Sequence, residues 1–151
     1  MTDSPTSHVT DGSPTYLGGG DPARRFTDYY PAWLDDLAED VTIEGSLLDG
    51  AAHGPEAVRA IVGALRSLYE RQEFNFAGPY GDQNGWIEDY IAEVSGQPIA
   101  CAVLVSRDAG GHTRHIAANY RPRSSLLLLS RLTGEKLAGT PYARYFAPTQ
   151  S

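Results

Sequence analysis

Apolar and polar residues alternate over residues 41–47 (VTIEGSL), the two-residue period of a strand with one buried face. A Gly54-Pro55-Glu56 step follows, with Pro55 suited to a first helical turn and Glu56 to the positive end of the helix dipole. Ala57, Val58, Ile61, Leu65 and Leu68 then recur at helical spacing, which predicts a helix with one core face. Upstream, Phe26, Tyr29, Tyr30, Trp33, Leu34 and Leu37 make an apolar stripe over residues 22–37. That segment reads as helix in two short pieces, with Pro31 restarting the second. The acidic run Asp35, Asp36, Glu39 and Asp40 reads as a solvated helix end.

Four strands and a helix are expected downstream. Residues 73–80 carry Phe74 and Phe76, read as sharing a face. Residues 81–85 turn the chain, residues 86–95 run as a strand to Gly96, and Gln97-Pro98 makes a tight connection to residues 99–107. That last run is apolar throughout, so it is expected at the centre of a sheet and covered on both faces. Asp108 to Gly111 is a hairpin signal, and residues 113–121 return antiparallel. Pro122 opens a final helix over residues 123–137, ended by Gly139. Residues 1–21 are rich in Ser, Thr, Gly, Pro and Asp and have too little apolar surface to offset their ordering entropy, so they read as a tail. Residues 22–146 then form one domain, and residues 147–151 a short C-terminal tail.

Helix, strand, helix and a four-strand meander describe an α+β domain. The acidic pair before a first strand, the Gly before a helix, the Asp-Ala-Gly-Gly hairpin (residues 108–111) and the Tyr120-Arg121-Pro122 ending come in an order and spacing that resemble the nuclear-transport-factor-2-like, or SnoaL-like, superfamily. The resemblance spans about residues 24–140, and its Tyr120-Arg121-Pro122 ending is that of a bacterial subgroup largely of unknown function. It implies a cone-shaped cystatin-like barrel: a curved antiparallel sheet, N-terminal helices over its concave face, an extra C-terminal helix and a pocket inside. The superfamily includes isomerases, hydrolases, cyclases and members with no chemistry.

Composition narrows the function. The net charge is −7, from 19 acidic residues against 12 Lys and Arg, and the arginines are scattered, which argues against nucleic acid. No apolar run approaches the roughly 20 residues that span a bilayer. The lone Cys101 cannot pair within the chain, and the expected location is the cytoplasm. His112 and His115 stand three apart on a strand, hence on opposite faces, and four scattered His with one Cys make no zinc set. No metal and no cofactor are expected. Cys101 reads as a small buried hydrophobe.

No short motif specifies a reaction, so the chemistry reduces to which residues face the pocket. Laid on the superfamily pattern, Trp86, Glu88, Tyr90 and Ala92 face inward with Cys101, Val103, Val105, Ile116, Ala118 and Tyr120. The opposite parity would present Asp89, Glu93, His115 and Asn119; a one-residue slip exchanges the sets. On the first parity Glu88, beside apolar walls, is expected to have a raised pKa and to serve as general acid or base. Tyr90 would donate to a developing enolate oxygen. His115 is the proton-transfer candidate of the other parity. Trp33, His53, Trp86, Val103, Ile116 and Tyr120 complete the expected ligand contacts, with His53 at the cavity mouth.

The resemblance also marks departures. Ketosteroid isomerases of this fold carry a catalytic Asp at the end of the first strand, where this chain has Gly45, and a protonated Asp on the central strand, where it has Val103 or an apolar neighbour. The paired acids and Arg of limonene-epoxide hydrolases have no counterpart, and only His115 or Asn119 approaches the acid/base of SnoaL-type cyclases. Two functions stay open. One is a cofactor-free cyclase, isomerase or dehydratase acting on a hydrophobic or aromatic, polyketide-like molecule. The other is a non-catalytic ligand-binding or accessory module, with homodimerisation through the outer sheet face expected in either case.

Overall fold

The computed structural model describes residues 15–16, 30–81 and 84–146. Seven strands among them form one sheet in the order β1-β4-β5-β6-β7-β2-β3. They are β1 (Thr15–Tyr16), β2 (Leu37–Gly45), β3 (Ala52–His53), β4 (Arg71–Tyr80), β5 (Gly85–Val94), β6 (Gln97–Arg107) and β7 (Thr113–Arg121). Two α-helices, α1 (Pro55–Leu68) and α2 (Arg123–Lys136), accompany it with 3-10 turns at Ala32–Asp35 and Pro141–Tyr145. The architecture is the α+β one expected.

The β4–β7 meander is built by two tight reversals. Ser95 and Gly96, with φ of 50° and 77°, make the two-residue turn between β5 and β6, where a twisted hairpin needs positive φ. The tight connection therefore falls one step before Gln97-Pro98. Between β6 and β7, Asp108 Oδ1 accepts from the amides of Gly110 and His112, both at 2.9 Å. The His112 amide first, and then that of Gly110, hold the Asp108 carboxyl below its usual pKa.

Alternation on β5, β6 and β7 buries Trp86, Glu88, Tyr90, Ala92 and Val94 with Ile99, Cys101, Val103 and Val105, and Ile116, Ala118 and Tyr120. α1 lays Val58, Ile61, Val62 and Leu65 into the same core. α2 docks differently: its buried side chains are Ser125, Leu129, Ser130 and Thr133. Ser125 Oγ donates to the Pro98 carbonyl at 2.7 Å and Ser130 Oγ to that of Leu47 at 3.0 Å, so hydrogen bonds do much of the anchoring. Phe146, after the second 3-10 turn, closes the core.

Several expectations are corrected. Residues 37–40 are strand, not a helix end: β2 lies parallel to β7, from Leu37 opposite Thr113, through a register shift, to Gly45 opposite Ala118. The sheet is thus mixed rather than antiparallel. β2 ends at Gly45, two residues before the expected end. Phe74 and Phe76 occupy opposite faces because the register shifts between them, leaving Phe74 opposite Tyr90 and Phe76 opposite Asp89. β6 is covered on one face only, and Leu104 on the other is 37% exposed. Of the helix expected over residues 22–37, the described part from Ala32 is one 3-10 turn preceded by Pro31; the rest lies outside the described residues. Within the expected N-terminal tail, Thr15–Tyr16 pairs with Ala77 and Phe76 as an edge strand. The remainder of that segment and residues 147–151 lie outside the description. No helix among the described residues is long and apolar enough to cross a membrane.

Gly45 carries a sharp backbone demand. Its φ is +154°, and a Cβ there would stand 2.0 Å from the Ala118 carbonyl oxygen across the parallel pair. Gly45→Ala should therefore lower stability by about 2–4 kcal/mol, read as a drop in the urea midpoint at unchanged m-value.

Candidate functional site

A cavity with about 50 Å³ of space open to the centre of a water molecule lies between the concave face of the sheet and α1. Its floor is a grid set by strand register. One row runs Ala77, Glu88, Val103, Ala118, Gly45. The row on one side is Phe74, Tyr90, Cys101, Tyr120, and on the other Pro79, Trp86, Val105, Ile116, Ile43. Val62, Leu65, Arg66 and Tyr69 form the α1 wall, while Pro31 and Trp33 approach from the 3-10 turn.

Two polar groups stand out in this apolar enclosure. The first is Glu88, only 2% exposed, whose Oε2 accepts a 2.7 Å hydrogen bond from Trp33 Nε1. The second is a cluster of three phenols. Tyr69 Oη lies 2.7 Å from that of Tyr90 and 2.8 Å from that of Tyr120, while Tyr90 and Tyr120 are 3.3 Å apart. Desolvation pushes all three up from the ordinary tyrosine value. For Tyr69, the hydrogen bonds from Tyr120 and Tyr90 and the nearby Arg66 guanidinium pull back against that rise. The cluster is therefore a set of neutral donors at neutral pH, with Tyr69 at its hub. Beneath it Cys101 is buried, and desolvation raises its thiol to about 12; it is no nucleophile near neutrality.

Of the residues singled out from sequence, Glu88, Tyr90, Trp33, Val103, Ile116 and Tyr120 line this cavity together. Trp86 is buried beside it, in the Ile116 row, with the Arg107 guanidinium 5.8 Å from its ring centroid. Trp86 is not among the cavity-lining residues, although Ile116 and Ile43 of its row are. His115 is on the outer face, as β7 alternation requires. Its Nδ1 shares a 2.6 Å hydrogen bond with Thr42 Oγ1, and its Nε2 lies 3.0 Å from Glu44. His53 is exposed opposite Thr42, on that same outer face, so it does not reach the cavity mouth. Asp89 and Asn119 also fall outside, with Asp89 3.7 Å from Arg121. Tyr69 and Phe74 were missed. The stripe on α1 stops at Leu68, and Tyr69 matters only because the chain turns out of the helix there. Among the described residues no group of three His, Cys, Asp or Glu is placed to hold a metal ion.

No protein-family model matches the sequence, and none of the curated proteins is similar to it at the sequence level. Solved structures are more informative. A bacterial protein with a cystatin-like fold from Silicibacter pomeroyi matches with a TM-score of 0.65 and 17% identity, over 71% of this chain and 74% of its own. The fold is cystatin-like. A steroid delta-isomerase from Pseudomonas aeruginosa matches this cystatin-like domain with a TM-score of 0.66 and 18% identity, over 71% of this chain and 78% of its own. A de novo designed protein with a curved β-sheet gives 0.53 and 20%, over 65% and 78%. At these identities the likeness is one of fold.

The buried thiol and phenols predict how stability responds to alkali. Each has a higher pKa folded than unfolded, so above about pH 9 the unfolded chain binds fewer protons and stability falls as pH rises. For Cys101 the window runs from about 9 to about 12. Urea unfolding followed from pH 7 to 11 should show a flat region and then a decline beyond about pH 9, and Cys101→Ala should decline less steeply.

Proposed function

We propose that this protein is a cofactor-free acid–base enzyme acting on a hydrophobic or aromatic, polyketide-like molecule that lies over Val103 and Ala118. The observation that carries this reading is the pairing, within one apolar cavity, of the buried Glu88 carboxylate with the hydroxyl cluster of Tyr69, Tyr90 and Tyr120. Carboxylates are rarely buried this deeply without a function or a partner. In this reading Glu88 takes a proton from a carbon next to a carbonyl. The C–H electron pair moves into an enolate, whose oxygen accepts hydrogen bonds from the phenols. Glu88 then returns the proton at a second carbon, giving isomerisation. Alternatively the enolate attacks a carbonyl of the same molecule, whose oxygen takes the proton back from Glu88, giving cyclisation, or it expels a β-hydroxyl that takes that proton and leaves as water, giving dehydration.

The test needs no knowledge of the natural substrate. Planar cyclic ketones that bind are incubated in D2O, and exchange at the carbon next to the carbonyl is followed by NMR. The expected result is catalysed exchange that falls at least 100-fold in Glu88→Gln while ligand affinity changes little. Binding without exchange in the wild type would overturn the enzymatic reading in favour of a non-catalytic ligand-binding module.

A homodimer through the outer sheet face goes with this proposal, and Leu104, exposed there at 37%, supports it. Light scattering should give twice the 16.3 kDa chain mass, and Leu104→Glu should shift the protein to monomer; a monomeric wild type would refute it. The buried single thiol agrees with a reducing cytoplasm.

A further inference from the structure

Glu88 sits on β5, yet the donor to its carboxylate comes from a different layer. Trp33 belongs to the 3-10 turn of residues 32–35, which has no side-chain cap and spans a single turn. A turn that short has little intrinsic stability. What places it is β7. Thr113, with no exposed surface, donates from Oγ1 to the Trp33 carbonyl at 2.8 Å. The Thr113 amide donates to the Asp36 carbonyl, also at 2.8 Å. One fully buried residue at the start of β7 thus holds both ends of the segment that carries the indole. The indole, 6% exposed, then reaches the carboxylate at 2.7 Å.

We infer that Trp33 is the positioning residue for Glu88 and that Thr113 in turn positions Trp33, so that the turn and β7 together aim the carboxylate into the cavity. This rests on the reading of Glu88 as the proton-transferring group. An N–H donor stabilises the ionised form of a carboxylate, whereas the apolar walls disfavour it. Trp33 therefore biases Glu88 toward the base rather than the acid. The other titratable groups facing the cavity are Arg66 and Tyr69 from the α1 side, Tyr90 on β5, Cys101 on β6 and Tyr120 on β7. Desolvation raises the pKa of the phenols and the thiol, so these groups stay protonated at neutral pH.

The experiment reads Glu88 itself and not turnover. The side-chain carboxyl 13C resonance of Glu88 is followed against pH in the full chain, for wild type, Trp33→Phe, Thr113→Val and Thr113→Ser. Loss of the indole donor should raise the Glu88 midpoint by about one to two units. Thr113→Val should raise it by less, and Thr113→Ser, which keeps the hydroxyl, should restore the wild-type value. A residue that merely packs would alter stability and leave the midpoint where it was, so identical Glu88 titrations in folded wild type and Trp33→Phe would overturn the inference. Should Trp33→Phe fail to fold, the indole N–H resonance of Trp33 in the wild type decides. Movement in step with Glu88, with Trp86 as the reference indole, supports the inference, and no movement overturns it. Absence of ketone exchange would sink the proton-transfer reading without touching these midpoints, which keeps the two failures apart.

Discussion

The site depends on one row of small side chains across a curved sheet. Val103, Ala118 and Gly45 stand side by side on β6, β7 and β2, in register with Glu88 on β5. Rows of larger residues flank them, with Tyr90 and Tyr120 on one side and Trp86 and Ile116 on the other. Protein interiors otherwise pack to the density of organic crystals. A concave face stays open only where the side chains of one row are too short to meet the helix above it. Gly45 ends the row tight against β7, where even a methyl would strike the Ala118 carbonyl of the neighbouring strand. The same row that makes the space also brings a carboxylate to its edge.

The second constraint is parallel pairing between β2 and β7. A meander alone would leave β7 as an edge and its backbone groups open to water. β2 covers that edge and carries the 3-10 turn with it, because Leu37 pairs opposite Thr113 and the turn ends immediately before. Trp33 is consequently delivered over the cavity from a part of the chain distant in sequence, 55 residues from Glu88. The hydroxyl cluster is assembled in the same way from three elements: the end of α1, β5 and β7. Each phenol satisfies another, which lets three polar groups occupy an apolar interior without the cost of unpaired donors.

The two faces of the sheet divide the titratable residues sharply. Glu88 and the tyrosines are inside, while His115, His53, Asp89 and Asn119 are outside, where Thr42, Glu44 and Arg121 meet some of them. Strand alternation alone produces this division, because neighbours along a strand point to opposite faces. A proton-transfer role for His115 would require the opposite parity on β7, which would bury Ala117, Asn119 and Arg121 in place of Ile116, Ala118 and Tyr120.

Local pattern by itself determined much of this protein. Runs bounded by turn residues located β5 and β7, an unbroken apolar run located β6, Gly54-Pro55 located the start of α1, and Asp108-Ala109-Gly110-Gly111 located a hairpin, because backbone sterics and side-chain patterning are properties of neighbouring residues. Together with a family resemblance, strand alternation distinguished the cavity face from the outer one and so brought Glu88, Tyr90 and Tyr120 together in advance. Tertiary structure decided the rest. Residues 37–40 looked like the end of a helix and became strand because β7 offered them an edge, and propensity yields to such pairing. Phe76 changed face through a bulge that alternation cannot foresee. Tyr69, Thr113 and the reach of Trp33 to Glu88 acquired their roles only from contacts between elements far apart in the chain, and no local period encodes those.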